Sequence, residues 1–384
     1  MRDLSKALDA ELAELRRQHR HRACPEVTGA SRQRAQLGDR TLISFCSNDY
    51  LGLASHPAVL AAAAETARLE GFGAGAARLV AGDLPSHRAL ESDLAEYLER
   101  PATLLFPSGY QANLGVVTAL AGPDDLIASD AANHASLIDG CRLSKATIAI
   151  YAHGDHRDAA RALARPGSFR RRLLVTESLF SMDGDAAPLV ELSALATEHD
   201  AVLIVDEAHA LGVCGPGGRG LCAEAAVSPD VLIGTLGKAF GAAGGFASGA
   251  SVLRDYLVNR ARTFVFATAM PPAVAGAARL ALQLSASADG DARRARLRSH
   301  RLRLVAALGE RIPDRPGAIL PVILGSDDRA LAASALLRER GLFVPAIRPP
   351  TVAQGTARLR VTFSSEHTSH EVEDLAAALA EVLD

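Results

Sequence analysis

Two segments of the chain place side chains capable of acid–base and nucleophilic chemistry directly after apolar runs. Asp206 to His209 (DEAH) follows the run Ala201–Val205 and supplies carboxylates and an imidazole. Lys238 follows the run Val231–Thr235 and lies in a stretch of glycine and alanine. A lysine among such small residues is poorly solvated, which favours its neutral, nucleophilic amine. Lys238 and Asp206 suit an enzyme in which a lysine forms an imine with an aromatic aldehyde cofactor. In such an enzyme an aspartate pairs with the cofactor's pyridinium nitrogen.

A second class of enzyme, the DEAH-type nucleoside triphosphatases, would use the same acidic segment to hold Mg²⁺ and polarise water for attack on a γ-phosphate. That class needs a phosphate-binding loop of the pattern G-x-x-x-x-G-K-[ST]. The nearest candidate, Gly234 to Ala239 (GTLGKA), lacks this spacing and has alanine where a hydroxyl should meet the metal. The sequence therefore argues against an ATPase.

Other polar residues after apolar runs are candidate contacts for a phosphorylated cofactor. Ser108 to Asn113 (SGYQAN) is typical of a strand-to-helix turn, which directs free backbone N–H groups at a phosphate. The hydroxyls of Thr235 and Ser181 could add donors, and His134 could stack on a planar ring. A single histidine is more often structural, and the glycines around Lys238 are equally compatible with a tight turn that carries a surface lysine.

Seven short runs in the middle of the chain predict the strands that would position these residues. Each run is four or five residues long, and most are separated by helical stretches such as Leu189–His199. Apolar strands that alternate with helices are typical of a mostly parallel sheet covered on both faces, so the predicted fold class is α/β. Ligands of such sheets bind at the carboxyl ends of the strands. The predicted strands are Ala102–Phe106, Leu126–Ser129, Thr147–Tyr151, Leu173–Thr176, Ala201–Val205, Val231–Thr235 and Gly245–Ser248.

The two ends of the chain follow different patterns. Leucines at positions 4, 8, 12 and 15 recur on one face and predict an amphipathic helix. The basic cluster Arg16 to Arg22 after it fits a solvated helix end better than an anion site. Ala273 to Leu308 predicts a long helical connector. Beyond it, a smaller α/β domain is predicted by apolar runs at Ile319–Leu324, Leu342–Ala346 and Leu359–Phe363 and by helices at Asp328–Arg340 and His370–Leu383.

The composition excludes several functional classes. Of 384 residues, 48% are hydrophobic, and 41 Lys and Arg stand against 44 Asp and Glu, a net charge of −3. This balance argues against a nucleic-acid-binding protein. The five cysteines are scattered without a C-x-x-C pair, which argues against disulfides and structural zinc. We find no signal-peptide pattern and no apolar stretch of about 20 residues, so we expect a cytoplasmic protein without a transmembrane helix.

Six ordered blocks, spread over nearly the whole chain, resemble the α-oxoamine synthase family of fold-type I pyridoxal 5′-phosphate (PLP) enzymes. They are Phe45 to Leu53 (FCSNDYLGL), Gly71 to Arg78 (GFGAGAAR), Glu177 to Gly184 (ESLFSMDG), Asp206 to His209 with Gly218 to Gly220, Gly234 to Gly241 (GTLGKAFG) and Pro349 to Arg360 (PPTVAQGTARLR). The resemblance implies an α/β fold with a large, mostly parallel domain and a small C-terminal domain. We expect an N-terminal helix and arm over residues 1–50, the PLP-binding domain over 51–285 and the small domain over 286–384.

The resemblance assigns catalytic roles to residues of the large domain. Lys238 would bond to the aldehyde carbon of PLP, and Asp206 would keep the pyridine nitrogen protonated. His134 would stack on the ring. His209 would hydrogen-bond to the phenolic oxygen, with Ser181 close by.

Four further residues are implied for the remainder of the cofactor. Gly109, Tyr110 and Thr235 would bind PLP and its phosphate. Thr268 would reach the phosphate of the neighbouring subunit's cofactor, so the resemblance implies a homodimer with shared active sites.

The family pattern also implies residues for two substrates. Asn48, His134 and Arg360 would position an amino acid, with Arg360 paired to its carboxylate. Thr351 and Arg22 would line the path of an acyl thioester. No metal is implied.

Within the family, the segments SNDYLGLASHP and ESLFSMDGDAAPL most resemble the member that condenses L-alanine with a pimeloyl thioester, on CoA or a carrier protein, in biotin biosynthesis. The expected reaction releases CO₂ and the free thiol. Other members, which use glycine or serine with a different acyl-CoA, remain alternatives because a single methylene in a pocket changes binding by only about 1–3 kcal/mol. A non-catalytic protein of this fold would be expected to lack the lysine or its acidic partner, and both are present.

Overall fold

The computed structural model describes residues 3–18, 20–29 and 33–384. His19, part of the basic cluster noted above, lies outside the described residues. The helices are α1 (Leu4–Arg17), α2 (Pro57–Glu70), α3 (Pro85–Tyr97), α4 (Gly109–Leu120), α5 (Ala135–Ser144), α6 (His156–Leu163), α7 (Leu189–Glu198), α8 (Leu221–Glu224), α9 (Ser251–Arg260), α10 (Arg262–Val265), α11 (Pro272–Ser285), α12 (Ala288–Leu308), α13 (Asp327–Glu339) and α14 (Ser369–Leu383). The strands are β1 (Arg34–Leu37), β2 (Arg40–Ser44), β3 (Ala102–Phe106), β4 (Leu126–Asp130), β5 (Thr147–Tyr151), β6 (Arg172–Glu177), β7 (Ala201–Asp206), β8 (Val231–Thr235), β9 (Gly245–Gly249), β10 (Ile319–Gly325), β11 (Leu342–Phe343), β12 (Ala346–Ile347) and β13 (Ala357–Thr362).

The chain divides into two compact units. The central unit comprises Asn48–Arg298 and Arg315–Ala318. The terminal unit comprises the described residues up to Ser47, together with Ser299–Asp314 and Ile319–Asp384. The expected boundaries at residues 50 and 285 therefore differ from this division. The physical reasons are that β2 of the N-terminal arm pairs with β11, and that α12 runs without interruption from Ala288 to Leu308.

The central unit is built on a seven-stranded sheet in the order β3-β9-β8-β7-β6-β4-β5. The strands from β8 to β5 are parallel, whereas β9 runs antiparallel to both β3 and β8. All seven predicted strands are present with bounds shifted by at most one residue. The predicted α/β class is confirmed.

Each face of this sheet carries a buried apolar cluster. Ile127 and Leu173 pack with residues of α4 and α5 on one face. The next residues along the strands, Ala128 and Leu174, pack with residues of α6 and α7 on the other. Because successive side chains of a strand point to opposite faces, a strand covered on both sides must be continuously apolar, which is the pattern seen in the sequence.

The terminal unit contains two small sheets, in the orders β1-β2-β11 and β10-β13-β12, with α13 and α14. The predicted strand Leu342–Ala346 is wrong as a single element. Its residues fall in β11, which pairs with β2, and β12, which pairs with β13. Pro345 lies between them and has no N–H to donate to a ladder. The predicted connector is likewise divided, because α11 ends at Ser285 and α12 begins at Ala288.

The part of the chain that the structure describes has neither a membrane-spanning helix nor a metal-binding group of side chains. No helix there is long and apolar enough to cross a membrane. Nor do three or more His, Cys, Asp or Glu side chains converge there in a group that could hold a metal ion. The five cysteines are all free thiols.

Candidate active site

The parallel strands of the central unit end in acidic residues at one edge of the sheet. β6 ends at Glu177 and β7 at Asp206, and the two residues are directly paired in the strand register. Both side chains are buried. This is the edge at which ligands of open α/β sheets bind, and the sequence-predicted Asp206 lies there as expected.

The Asp206 carboxylate is fixed by two hydrogen bonds. Its Oδ1 accepts the Ala208 N–H at 2.8 Å, and its Oδ2 accepts Nδ2 of Asn113 at 2.7 Å. Asn113 also donates to Ser136 Oγ at 2.9 Å. Asn113 lies on the first turns of α4, and sequence reasoning did not assign it a role, because an asparagine in a helix carries no distinguishing pattern. Donors on both oxygens favour the charged form of a carboxylate, which is the form that pairs with a pyridinium nitrogen.

His134 is positioned by the neighbouring strand and by the start of α5. Its backbone N–H donates to Glu177 Oε1 at 2.6 Å, and its Nδ1 lies 2.7 Å from Ser136 Oγ. Burial lowers the pKa of His134, against the opposing effect of the Asp206 carboxylate. The residue nevertheless remains exposed, so a planar ring has access to it. A neutral imidazole held in this way suits the predicted stacking role.

Glu177 is a buried carboxyl group that lies beside Asp206 at this edge of the sheet. Burial, reinforced by the neighbouring Asp206 carboxylate, raises the pKa of Glu177 to about 8. In the sequence, Glu177 is the first residue of a block that resembles the family, and no role is assigned to it. The pairing of Glu177 with Asp206 depends on strand register, which the sequence alone did not supply.

Lys238 and His209 are in direct contact. Lys238 Nζ lies 2.8 Å from His209 Nε2, and His209 Nδ1 lies 2.7 Å from the hydroxyl of Tyr50. Lys238 is half-buried in the loop that joins β8 to β9. That loop is closed by bonds from Leu236 N–H to the Gly244 carbonyl and from Gly241 N–H to the Lys238 carbonyl. The structure thus brings together the lysine and the histidine that the sequence predicted.

Glu207 of the DEAH segment forms hydrogen bonds within the protein, whereas an ATPase would need it to hold Mg²⁺ and polarise water. Its buried carboxylate accepts Ser178 Oγ at 2.7 Å and the backbone N–H groups of Leu221 at 3.1 Å and Cys222 at 2.6 Å. These bonds tie the end of β7 to α8 and to the start of the loop after β6. Glu207 therefore holds these three segments together.

The first turn of α4 forms a candidate phosphate site. Ser108 caps the helix by accepting the Gln111 N–H, which leaves the N–H groups of Gly109 and Tyr110 at the helix start for an anion. A Cβ on Gly109 would lie 3.3 Å from Thr235 Cβ, so the two predicted residues are adjacent. The Thr235 hydroxyl donates to the Gly244 carbonyl at 2.9 Å.

Ser181 and Thr268 lie on segments that other contacts hold in place. Ser181 is half-buried in the loop between β6 and α7. Thr268 is exposed and forms an isolated bridge with Ala77. Their predicted contacts to the cofactor remain predictions.

The remaining predicted residues lie in different places. Asn48 lies in the central unit, where its Oδ1 accepts the hydroxyl of Tyr50 at 3.0 Å. In the terminal unit, Arg22 donates to Thr351 Oγ1 at 3.1 Å, and both line a cavity of about 80 Å³. Arg360 is buried on β13. The structure therefore brings together Arg22 and Thr351, which the sequence paired.

The residues of the central unit fit PLP by the chemistry of their donors and by the space that small residues leave. A buried carboxylate, an amine on the neighbouring loop and unpaired first-turn N–H groups match the pyridine nitrogen, the aldehyde and the phosphate. Gly245 approaches the helix start so closely that a Cβ there would lie 2.5 Å from the Gly109 nitrogen. Any larger residue would displace the predicted phosphate site.

Comparison with known proteins identifies the family. The family model described as aminotransferase class I and II matches residues 40–379. The chain belongs to this family. The assignment confirms the α/β fold type predicted from the sequence.

Within the family, the similar curated proteins share one name. The chain is 51% identical over 381 residues to 8-amino-7-oxononanoate synthase of Anaeromyxobacter dehalogenans strain 2CP-1, covering 98% of this chain and 95% of that protein. It is 47% identical over 376 residues to the synthase of the same name from Methylococcus capsulatus, covering 97% of each. These relatives confirm the resemblance to the α-oxoamine synthases.

Solved structures of the family have the same fold. Serine palmitoyltransferase of S. paucimobilis, in a structure with bound PLP and myriocin, matches with a TM-score of 0.92 and 30% identity, covering 100% of this chain and 98% of that one. An 8-amino-7-oxononanoate synthase of Francisella tularensis matches with a TM-score of 0.77 and 27% identity, covering 89% of this chain and 97% of that one.

Proposed function

We propose that this protein condenses L-alanine with a pimeloyl thioester to give 8-amino-7-oxononanoate, CO₂ and the free thiol, a step of biotin biosynthesis. The cofactor is PLP, and the protein is an acyltransferase that forms a carbon–carbon bond. The observation that carries the proposal is the 2.8 Å contact of Lys238 Nζ with His209 Nε2, together with the buried Asp206 carboxylate at the end of β7. The names of the full-length relatives support the choice of reaction within the family.

Asp206 and Lys238 have different roles in the proposed reaction. When bound, PLP supplies an electron sink for negative charge at the α-carbon of the amino acid. Asp206, fixed by Asn113 and Ala208, would hold a proton at the pyridine nitrogen. Lys238 would take the proton from the α-carbon and later return one, because its amine is half-buried and lies 2.8 Å from His209 Nε2. The carboxyl group of alanine leaves as CO₂ after the new carbon–carbon bond has formed.

Substrate binding falls to residues outside the acidic edge of the sheet. Arg360 would pair with the alanine carboxylate, since a guanidinium binds a carboxylate through two parallel hydrogen bonds. Asn48 and His134 would orient the amino acid. Arg22 and Thr351, joined at 3.1 Å, would contact the acyl thioester.

The phosphate and the dimer complete the proposal. Gly109, Tyr110 and Thr235 would bind the PLP phosphate, and Ser181 would assist His209 at the phenolic oxygen. Thr268 would reach the cofactor of a second subunit, which makes the active unit a homodimer. Its exposure in the single chain is compatible with that role.

The experiment that tests the reaction compares amino acids and thioesters in parallel. We expect the PLP-loaded enzyme to release thiol and CO₂ from L-alanine and pimeloyl-CoA with a kcat/KM at least about tenfold above that for glycine or L-serine with any acyl-CoA. The product is identified by its mass. Preference for glycine or serine would assign the chain to another α-oxoamine synthase reaction, and pimeloyl carrier protein should be tested beside pimeloyl-CoA to identify the carrier.

A further inference from the structure

The exposed residue Thr268 lies on a short segment whose backbone is fixed by contacts with Ala76 and Ala77. Thr268 forms an isolated antiparallel bridge with Ala77, and the N–H of Ala269 donates to the Ala76 carbonyl at 3.0 Å. Ala269 and Met270 are buried, whereas Thr268 is exposed. The residues that follow Thr268 are therefore packed inside the central unit, and Thr268 itself lies at the surface of that unit.

His87 of α3 holds the end of this segment. His87 is completely buried. Its Nε2 lies 2.8 Å from the carbonyl oxygen of Met270, and its Nδ1 accepts the N–H of Leu84 at 3.1 Å. Burial lowers the pKa of His87, which favours the neutral ring. Because a backbone N–H can only donate and a carbonyl can only accept, the neutral ring carries its proton on Nε2 and donates it to Met270.

Glu91, one turn further along α3, holds the other segment of the bridge through Arg78. Arg78 follows Ala77 in the chain, and its side chain is only 7% exposed. Its Nη1 and Nη2 donate to the two carboxylate oxygens of Glu91 at 3.0 and 3.2 Å, and its Nε donates to Asp83 Oδ1 at 2.6 Å. The guanidinium also lies over the Phe264 ring, 5.7 Å from the ring centroid. A bidentate pair of this kind fixes orientation as well as position.

Both segments of the Ala77–Thr268 bridge are thus attached to one helix. His87 and Glu91 are four residues apart on α3, a spacing that places them on the same face, and both are buried. Removal of either attachment would leave the backbone around Thr268 with fewer constraints, although the Thr268 side chain itself would be unchanged.

We propose that His87 and the Arg78–Glu91 ion pair are positioning groups through which α3 fixes Thr268 at the cofactor phosphate of a second subunit. This inference rests on the proposed function, in which Thr268 reaches that phosphate. His87, Arg78 and Glu91 act through Thr268 and make no contact of their own with the cofactor. Their effect on PLP binding is therefore exerted at the neighbouring subunit's site.

The first test measures the PLP affinity of full-length homodimers by equilibrium dialysis. We expect Thr268→Ala to weaken PLP binding by about tenfold, the loss of one hydrogen bond to a charged group, and His87→Phe to weaken it by up to the same factor. The double variant His87→Phe/Thr268→Ala should bind PLP no more weakly than Thr268→Ala, because His87 acts through that hydroxyl. Losses that multiply, or wild-type affinity in either single variant, would overturn the inference.

The ion pair is tested by Arg78→Met, with Arg88→Met as the matched control. Arg254 Nη2 lies 3.6 Å from Glu91 Oε2 and still compensates the Glu91 charge in Arg78→Met. Arg88 is exposed and donates to the other carboxylate oxygen of Asp83 at 2.8 Å. We expect weaker PLP binding in Arg78→Met and wild-type affinity in Arg88→Met. Equal affinities in the two variants would contradict the role of Arg78. Arg78→Lys, which loses the bidentate geometry, replaces Arg78→Met if that variant does not fold.

The substitution His87→Gln separates positioning from a general loss of packing. Glutamine carries an amide N–H that can donate to the Met270 carbonyl, whereas phenylalanine has no donor. We expect His87→Gln to recover most of the PLP affinity that His87→Phe loses. If His87→Gln binds PLP as weakly as His87→Phe, the bond to Met270 does not position the segment and the inference is wrong.

Mixed dimers show in which subunit His87 acts. Each heterodimer joins a Lys238→Ala subunit to a His87→Phe subunit and is separated from the homodimers by two different affinity tags. Only the His87→Phe subunit can form the lysine-dependent absorption band, and its cofactor would meet Thr268 of the Lys238→Ala subunit, in which α3 is intact. We expect this band to titrate with wild-type PLP affinity. A titration as weak as that of the His87→Phe homodimer would place the effect in the same subunit and overturn the inference.

The proposed reaction and this inference fail separately, because neither PLP affinity nor the band requires an amino acid or an acyl donor. If the titrations agree with expectation but L-alanine and pimeloyl-CoA do not react, the reaction is wrong and the role of α3 stands. If the wild type forms no lysine-dependent band, the role of Lys238 is wrong and the dialysis of homodimers decides the inference. A PLP-bound wild type that is monomeric would leave Thr268 no second site to reach and would overturn the inference.

Discussion

Buried carboxyl groups at the ends of two neighbouring strands control the charge of the site. Asp206 accepts two N–H donors, whereas Glu177 accepts the single N–H of His134 that the structure shows and lies beside Asp206 in the register. Two adjacent buried carboxyl groups do not readily both ionise, and the one with fewer donors keeps its proton to higher pH. The pKa of Glu177, raised to about 8 by burial and by Asp206, agrees with this division.

The substitution Glu177→Gln tests the charge of this residue through stability. Because the pKa of Glu177 is raised from 4.5 in the unfolded chain to about 8 in the folded one, ionisation costs stability progressively as pH rises from about 4.5 to 8. Glutamine keeps an oxygen for the His134 N–H and does not ionise. We expect the stability of Glu177→Gln relative to wild type to rise across this range and to level off above pH 8, measured by urea unfolding. A difference that does not vary with pH would contradict the assignment.

The chemistry-bearing residues of the site divide into those the sequence could predict and those it could not. Lys238 and Asp206 follow apolar runs and have types that few other roles explain, so their approximate place was predictable. Asn113, Glu177 and Tyr50 are polar residues without a distinguishing spacing. Their importance arises from contacts to Asp206, His134 and His209, and those contacts exist only once the strands and helices have packed.

At the scale of elements, a three-residue cluster ties the loop that carries Ser181 to the sheet. His153, which follows β5, lies 2.8 Å from Asp130 at the end of β4 and 3.0 Å from Asp185 in the loop after β6. Its ring also contacts the ring of Phe180 edge-on, with centroids 4.3 Å apart. The hydrogen bonds to Asp130 and Asp185, of which the first has the larger effect, raise the pKa of His153 to about 10. The ring is therefore an imidazolium at neutral pH.

The substitution His153→Gln should weaken this cluster in a pH-dependent way. A histidine whose pKa rises from 6.5 to about 10 on folding contributes stability that is complete below pH 6.5 and is lost as pH rises through about 10. Because the side chain is 31% exposed, we expect a loss of about 1 kcal/mol at pH 6. Thermal unfolding of wild type and His153→Gln from pH 6 to 10 measures this loss of stability. An equal loss at pH 6 and at pH 10 would show that the charge of His153 is not involved.

The close approach of β9 to α4 makes a second prediction about elements. A Cβ at position 245 would lie 2.5 Å from the Gly109 nitrogen, so Gly245→Ala must displace the first turn of α4. We expect PLP affinity to fall by about tenfold, in line with an overpacking cost of about 1–3 kcal/mol. Gly73→Ala is the control, because a Cβ there meets no atom within 4 Å. If the PLP affinity of Gly245→Ala is unchanged, the first turn of α4 does not form the phosphate site.

Elements were predictable where hydrophobic pattern and local packing agree. The buried strands of the central sheet are continuously apolar, and their bounds were found within one residue. The short strands β1 and β2 were not predicted. Arg34–Leu37 and Arg40–Ser44 mix exposed and buried residues, and their strand character depends on pairing with each other and with β11.

At the scale of the whole molecule, the central unit carries large apolar side chains that are exposed in the single chain. Phe72 is 79% exposed, Val80 81% and Phe266 71%. The segments that carry them are joined by the bridge between Ala77 and Thr268. Exposed apolar side chains that lie on connected segments are typical of a subunit interface, which agrees with the proposed role of Thr268 across a dimer.

We expect the wild-type protein to sediment as a dimer and Phe266→Asp to shift it toward monomer with loss of PLP-dependent activity. A carboxylate in place of Phe266 would have to be removed from water when the subunits associate, and it would replace the ring that contacts the Arg262 guanidinium. Val190→Asp, at an exposed position on α7, is the control and should remain dimeric. A monomeric active wild type, or a dimer unaffected by Phe266→Asp, would contradict this use of the surface.

The central claim is that Lys238 bonds to PLP and acts in the reaction, and the visible absorption spectrum tests it most directly. Wild-type protein mixed with PLP should develop a band that shifts on addition of L-alanine and changes again with pimeloyl-CoA. Lys238→Ala should bind PLP without forming the lysine-dependent band and should make no product. If the wild type develops no such band, or Lys238→Ala retains both the band and the activity, the catalytic role of Lys238 is wrong.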